Sequence, residues 1–212
     1  MACRITSSSC IISDATLRGD YTRSVTYERM EELNMKNVAI IVGSVRPNRR
    51  SAQVADWLRS QLLKSSSVHF ETIDLQTVNL PMMDEPHIPF TGLYTHAKTR
   101  RWSRLIQSYD GFIFVFPQYN WGYPAVLKNA IDYLAKEWQG KPVSLVSFGG
   151  HGGSQAQIAM RLVVTGLKMR QLAVNPQIDL MPNDSVATAD HRLHTHDGEA
   201  ALLRAEFENV LK

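Results

Sequence analysis

The chain has 212 residues, 44% of them hydrophobic and 20% charged, with two cysteines and a formal net charge of +3. That is enough chain for one domain with a core of its own, and it excludes wholesale disorder. The mild positive balance does not argue for nucleic acid, and no apolar run reaches the length of a bilayer span. Cys3 and Cys10 lie too near the start to organise a disulfide framework or a zinc site.

Residues 1–36 are expected to be a disordered N-terminal extension ahead of a domain at 37–212. The stretch 1–34 is Ser/Thr-rich and sustains no helix or strand period, and 10–12 is too short for the apolar region of a secretory signal. The arginine and serines of 1–13 suit a transit peptide, but the acids from Asp14 onward do not. Met35 directly precedes the first predicted strand, so a shorter translation start there would leave the domain whole. Charges balance through Lys36, which assigns the basic excess to the domain.

From Asn37 onward, apolar runs alternate with helix-period segments. Strands are predicted at 38–43, 68–75, 111–116 and 143–148, with a fifth at 172–174 that has a second short apolar run at 178–180. The first helix starts near Ser51 and carries Val54, Trp57, Leu58 and Leu62 along one stripe. A Pro-rich loop spans 80–98, followed by a helix with Trp102, Leu105, Ile106 and Tyr109 at helical spacing. The clearest helix is read at 123–138, with Leu127, Ala130, Ile131, Leu134 and Trp138 inward and Gly140 ending it. Ser154 is read as the cap of a helix carrying Ala159, Leu162, Val163 and Gly166 inward, and a last helix covers 198–212 behind Asp197. Alternating strands and helices with short links predict an α/β fold: a flavodoxin-like, doubly wound, five-stranded parallel sheet of order 2-1-3-4-5 with helices on both faces.

In such a sheet ligands bind beyond the carboxyl ends of the strands, where the winding reverses. The loops after strands one, three and four are also the most distinctive stretches of the sequence. The first, GSVRPNRRS, is neither a Walker loop nor a GxGxxG fingerprint, yet it has the parts of a phosphate cradle. Gly43 frees the turn, Ser44 and Ser51 offer hydroxyls, and Arg46, Arg49 and Arg50 add charge beside a helix N-terminus. No carboxylate lies between Val38 and Ala55 to cancel them; the bland alternative is a solvated basic turn. The second loop, PQYNWGY, places Pro117, Gln118, Tyr119, Asn120, Trp121 and Gly122 at a strand end. Tyr119 and Trp121 suit a flat ring, or packing between helices. The third, GGHGG, surrounds His151 with glycines, including Gly150 and Gly152, that let backbone approach something planar. His151 has no carboxylate or nucleophile in sequence reach, so it reads as a shape or hydrogen-bonding residue.

GSVRPNRRS, LPMMDEPHIP, PQYNWGYPAVLKNAIDYL and GGHGG, in this order, resemble the NADPH-dependent FMN reductase family, flavodoxin-like quinone and azo reductases. The resemblance covers roughly residues 37–180. It implies bound FMN and homodimers or homotetramers. It also implies passage of hydride from NADPH or NADH through the flavin to quinones, azo compounds or free flavin, with the chemistry carried by FMN and no catalytic side chain. The family's phosphate loop implies Ser44, Arg46 and the region to Ser51, and its ring loop implies Pro117, Gln118, Tyr119, Asn120 and Gly122. Many members have Ser and Asn where this chain has Arg49 and Ser51, so contacts there are the least transferable. A cytoplasmic enzyme with no nucleic-acid or membrane partner is expected. The alternatives are a flavodoxin-type electron carrier and a redox-sensing regulatory protein without turnover.

Smaller features complete the reading. His191, His194 and His196 are read as a solvated loop, not a metal site. Asp84 and Glu85 are placed at the rim of the active site or on the surface. Tyr133, off the buried stripe of its helix, is expected to face a second subunit.

Overall fold

A computed structural model of the chain describes residues 35–212; the readings for residues 1–34 lie outside the described residues. In chain order the elements are β1 (Lys36–Val42), α1 (Ser51–Leu62), β2 (Val68–Asp74), the single turn α2 (Leu75–Val78), α3 (Ala97–Gln107), β3 (Gly111–Pro117) and α4 (Ala125–Asp132). They continue with β4 (Pro142–Gly149), α5 (Ser154–Gly166), β5 (Arg170–Gln171), β6 (Gln177–Asp179), α6 (Val186–His194) and α7 (Asp197–Val210). The sheet is parallel in the order β2-β1-β3-β4-β5. Its fifth position is shared. β5 pairs with the start of β4 at Pro142 and Val143, and β6 pairs with its end at Ser147, Phe148 and Gly149.

Strand periodicity explains the two layers. Successive side chains point to opposite faces. On β1, Val38, Ile40 and Val42 therefore join Val54, Leu58 and Leu62 of α1 and Leu203 and Phe207 of α7. Ala39 and Ile41 join Trp102 and Ile106 of α3, Leu127 of α4 and Met160 of α5 on the other side. β3 is buried along its whole length, as a central parallel strand covered on both faces must be. Its phenylalanines set the second core, where Phe112 and Phe114 meet the Trp138 ring edge-on at 4.9 and 5.9 Å.

Several predicted elements shift. The helix read at 123–138 stops at Asp132, and the chain then turns through Tyr133. Leu134 and Trp138 stay buried without the helix, so the apolar spacing was a burial signal rather than a helical one. The same turn carries Tyr133 inward. It is 0% exposed, its hydroxyl donates to the Pro81 carbonyl at 3.1 Å, and burial raises its phenol above the ordinary tyrosine range. Tyr133 therefore holds the 80–83 segment of its own chain instead of facing a second subunit.

α5 is rotated from the predicted phase. Ala156, Gln157, Met160 and Val164 face inward, whereas Leu162 is 76% exposed. A polar residue on the buried stripe hid the period. The Gln157 amide donates to the carbonyls of Leu145 and Asn175 at 3.1 and 3.2 Å, which satisfies it inside the core. Ser154 is not the cap of α5; Gly153 holds that position, and the Gln118 side-chain oxygen accepts from the Ala156 N–H at 3.2 Å. In α3, Trp102 and Ile106 are buried but Leu105 reaches the surface.

Most of the histidine-bearing stretch is not a loop. His191 and His194 lie on α6, capped by Ser185, whose hydroxyl accepts from the Thr188 N–H at 3.1 Å, and His196 sits at the cap position of α7. Only Ala189 and Leu193 of α6 are buried, too few apolar positions to show a period. His194 lies between Asp190 and Asp197, and His196 pairs with Glu199. Among the described residues no group of three ligands is arranged to hold a metal ion.

Candidate functional site

The carboxyl ends of β1, β3 and β4 release three loops at one edge of the sheet. The loop after β1 leaves through Gly43, whose N–H donates to the Val115 carbonyl at 2.8 Å. Its glycine is required by packing rather than by the turn: a Cβ there would sit 2.9 Å from Leu127 Cδ2 and 3.0 Å from the Val115 oxygen. Ser44 is buried, and its hydroxyl meets the Tyr119 hydroxyl at 2.9 Å, which ties the first loop to the second. The loop then enters α1 at Arg50 with no side-chain cap and no acid in the first turn. An α-helix begins with orphan N–H groups and partial positive charge, and nothing on this helix answers them. The buried Ser51 hydroxyl also has no hydrogen-bond partner among the described residues.

The three arginines have three different fates. Arg49 donates to the Asp74 carboxylate at the end of β2 and to the Gln76 side chain. Its charge is thus cancelled by a residue from another strand, although no acid is near in sequence. Arg50 donates to the Gln53 side chain at 3.1 Å and to the backbone carbonyl of Asp184, acceptors that orient the guanidinium without neutralising it. Arg46 is exposed, and its guanidinium bonds to none of the described residues.

The second loop is a two-residue hairpin. Tyr119 and Gly122 exchange backbone hydrogen bonds at 2.8 and 2.9 Å, and Asn120 and Trp121 both adopt positive φ, 45° and 68°. That is the type I′ geometry, where asparagine is at home in the first position and glycine is usual in the second. Tryptophan there is a steric outlier worth roughly 1 kcal/mol or more of strain. The strained ring is 71% exposed, so packing between helices does not account for it. The Asn120 N–H is left without a partner among the described residues.

The glycines of the third loop separate into two groups. Gly152 and Gly153 have φ of +65° and +71°, and a Cβ on either would come within 3 Å of Gln177 or of the Phe148 backbone. These two serve the fold, and Ser147 secures the turn by donating to the Gly152 carbonyl at 2.8 Å. Gly150 is different: a Cβ there would meet nothing within 4 Å. His151 is exposed with φ 55°.

Arg46, Arg49 and Arg50 of the first loop, Pro117, Gln118 and Tyr119 of the second, and Gly150 of the third line one cleft of about 270 Å³. Ser44, Ser51, Asn120, Trp121, Gly122, His151 and Gly152 do not line it; they lie beneath or beside the lining residues on the same loops. The cleft also takes in Pro47, Asn48, Phe148 and Gly149, and a far wall of Leu180 and Pro182 that sequence reading missed. The signal for that wall was present. The Pro182-Asn183-Asp184 turn follows the last strand of the sheet, and the carboxyl-end rule applies to that strand as well.

The sequence and the fold are similar to those of known proteins. Residues 36–177 match the family model described as NADPH-dependent FMN reductase. An NAD(P)H-dependent FMN reductase of Schizosaccharomyces pombe is 42% identical over 151 residues, which cover 70% of this chain and 75% of that protein. A quinone reductase of Pseudomonas putida is 33% identical over 143 residues, 63% of this chain and 72% of that one. Among solved structures, the NAD(P)H:acceptor oxidoreductase FerB of Paracoccus denitrificans superposes with a TM-score of 0.64 at 21% identity, covering 82% of this chain and 98% of that chain. With β1 to β4 and all three loops inside the matched span, the chain belongs to the NADPH-dependent FMN reductase family.

Proposed function

We propose that the protein is an FMN-dependent oxidoreductase that draws hydride from NADPH or NADH and delivers it to quinones, azo compounds or free flavin. The observation that carries this reading is the cleft lining, basic in one part and flat and bare in another. One end offers the uncapped N-terminus of α1 beside Arg46 and Arg50, a donor set suited to a phosphate dianion. The other offers Tyr119 and the bare backbone of Gly150, where room for a Cβ is room for a ring. FMN has a dianionic tail and a flat tricyclic head, so the residues fit it.

Bound FMN supplies the two-electron chemistry. The protein's own residues bind, orient and exclude water. Arg46, Arg50 and the first turn of α1 would hold the phosphate tail electrostatically. The Ser44–Tyr119 hydrogen bond fixes the aromatic wall relative to that anchor. The Asn120 N–H, beside the cleft and without a partner among the described residues, would be available as a donor to bound FMN. Trp121, strained and exposed beside the cleft, would offer its ring to a nicotinamide or an acceptor. No side chain acts as nucleophile or general base.

The same reading makes the protein a cytoplasmic homodimer or homotetramer. Met82, Ile88, Phe90 and Leu93 of the 80–93 segment and Ile158 and Leu162 of α5 are exposed apolar side chains, which supports burial against other copies. No described helix is long and apolar enough to cross a membrane.

The test is the absorption spectrum of the purified protein. Yellow cofactor released by heat and identified as FMN, with NAD(P)H oxidation that depends on added quinone, is the expected result. A colourless protein that refuses added FMN overturns the reading. A monomer at micromolar concentration in sedimentation overturns the assembly.

A further inference from the structure

Resting on the FMN reading, we infer that Arg192, on α6 outside the cleft, is a positioning residue for its phosphate end. Arg192 lies beyond residue 177, where the family match ends. It donates from Nη1 to the Asp179 carbonyl at 2.9 Å and approaches the Asp179 carboxylate at 3.5 Å. Its Nε lies 3.2 Å from the Asp184 carboxylate, only 10% exposed. That carboxylate also accepts from the Met181 N–H at 2.8 Å, which closes the 181–184 turn on itself. One guanidinium therefore clamps both ends of the segment that supplies Leu180 and Pro182 to the cleft wall.

The clamp reaches the first loop through Arg50, which donates to the Asp184 carbonyl. A neutral carbonyl aims Arg50 and leaves its charge intact, whereas the carboxylate of the same residue, if freed, would compete for it. Arg192 keeps the Asp184 and Asp179 carboxylates occupied. Arg50 can then serve an anion in the cleft and does not fall into the kind of pairing that silences Arg49 on Asp74. Removing Arg192 loosens the turn and removes the counter-charge of two carboxylates on the segment that supplies the cleft wall, a penalty for a phosphate but not for an uncharged ligand.

The experiment compares dissociation constants of FMN and riboflavin, which lacks the phosphate, for apoprotein prepared from wild type and Arg192→Ala, read by flavin fluorescence. Arg192→Ala is expected to weaken FMN by about tenfold, equivalent to roughly 1.4 kcal/mol, and to leave riboflavin within about twofold. The FMN loss should shrink as salt screens the freed carboxylates. Arg192→Lys keeps a charge beside Asp184 without the planar fork; it gives a smaller loss in the same direction and serves if the alanine variant does not fold. Equal losses for both flavins, or unchanged FMN binding, overturn the assignment while leaving the FMN reading intact. A wild-type protein that binds neither flavin overturns both.

Discussion

The two ends of the cleft are built in different ways. The basic end is made of side chains whose charge is decided by distant segments: Asp74 from β2 cancels Arg49, a carbonyl beyond β6 steers Arg50, and the Arg46 guanidinium bonds to none of the described residues. The flat end is made of Tyr119, from a type I′ hairpin, and of Gly149 and Gly150, which open a glycine turn. Charge at one end can thus be retuned by substitutions far away in sequence. Shape at the other end answers first to the residues of these two turns.

The sharpest break of that contrast comes from the glycine turn. Gly152→Ala places a Cβ 2.8 Å from Gln177 Cβ at φ +65°, so overpacking and strain together should cost about 3 kcal/mol in urea unfolding. Gly150→Ala, two residues earlier, should leave stability within about 0.5 kcal/mol and weaken FMN binding. Equal stability losses for the two would erase the division of the turn into fold and ligand glycines.

At the basic end, Arg46→Ala should weaken FMN by roughly 10- to 100-fold, the worth of a charge-assisted hydrogen bond, with an unchanged thermal midpoint. Arg49→Ala should instead lower the midpoint, because it leaves the Asp74 carboxylate unpaired beside Gln76. If the two variants exchange these phenotypes, the assignment of charge within the loop is wrong.

A smaller effect should have the opposite sign. Trp121→Gly relieves a positive φ and should stabilise the protein by about 1 kcal/mol in calorimetry, while raising the KM for a quinone. Stability unchanged or lowered would mean that the ring contributes to the fold. Similar in size but destabilising, Tyr119→Phe removes the hydroxyl pair with Ser44 and should cost about 1 kcal/mol, read from the same melts.

This division also explains what the sequence disclosed. Sheet order, both core faces and the three loops were legible because strand alternation and turn residues act over a few positions: Val38, Ile40 and Val42 face one way and Ala39 and Ile41 the other whatever happens later in the chain. The fate of Arg49 was not legible, since its partner lies 25 residues on and no local rule connects them. Tyr133 was misplaced because the turn after Asp132 answers to the 80–83 segment rather than to its own helix. The Gln157 amide hid the buried face of α5, and sparse apolar content hid α6, for a related reason, their partners being carbonyls and carboxylates of other elements.

α6 and α7 carry one consequence for anyone shortening this protein. Phe70, Leu58 and Leu62 lie under Phe207 and Leu203, and the rings of Phe70 and Phe207 meet edge to face at 5.9 Å. A recombinant fragment trimmed to the family-matched span would strip that roof from the sheet, exposing an oily face wide enough to drive it into inclusion bodies. Protease resistance of the C-terminal tail should rise and fall with the integrity of the whole molecule.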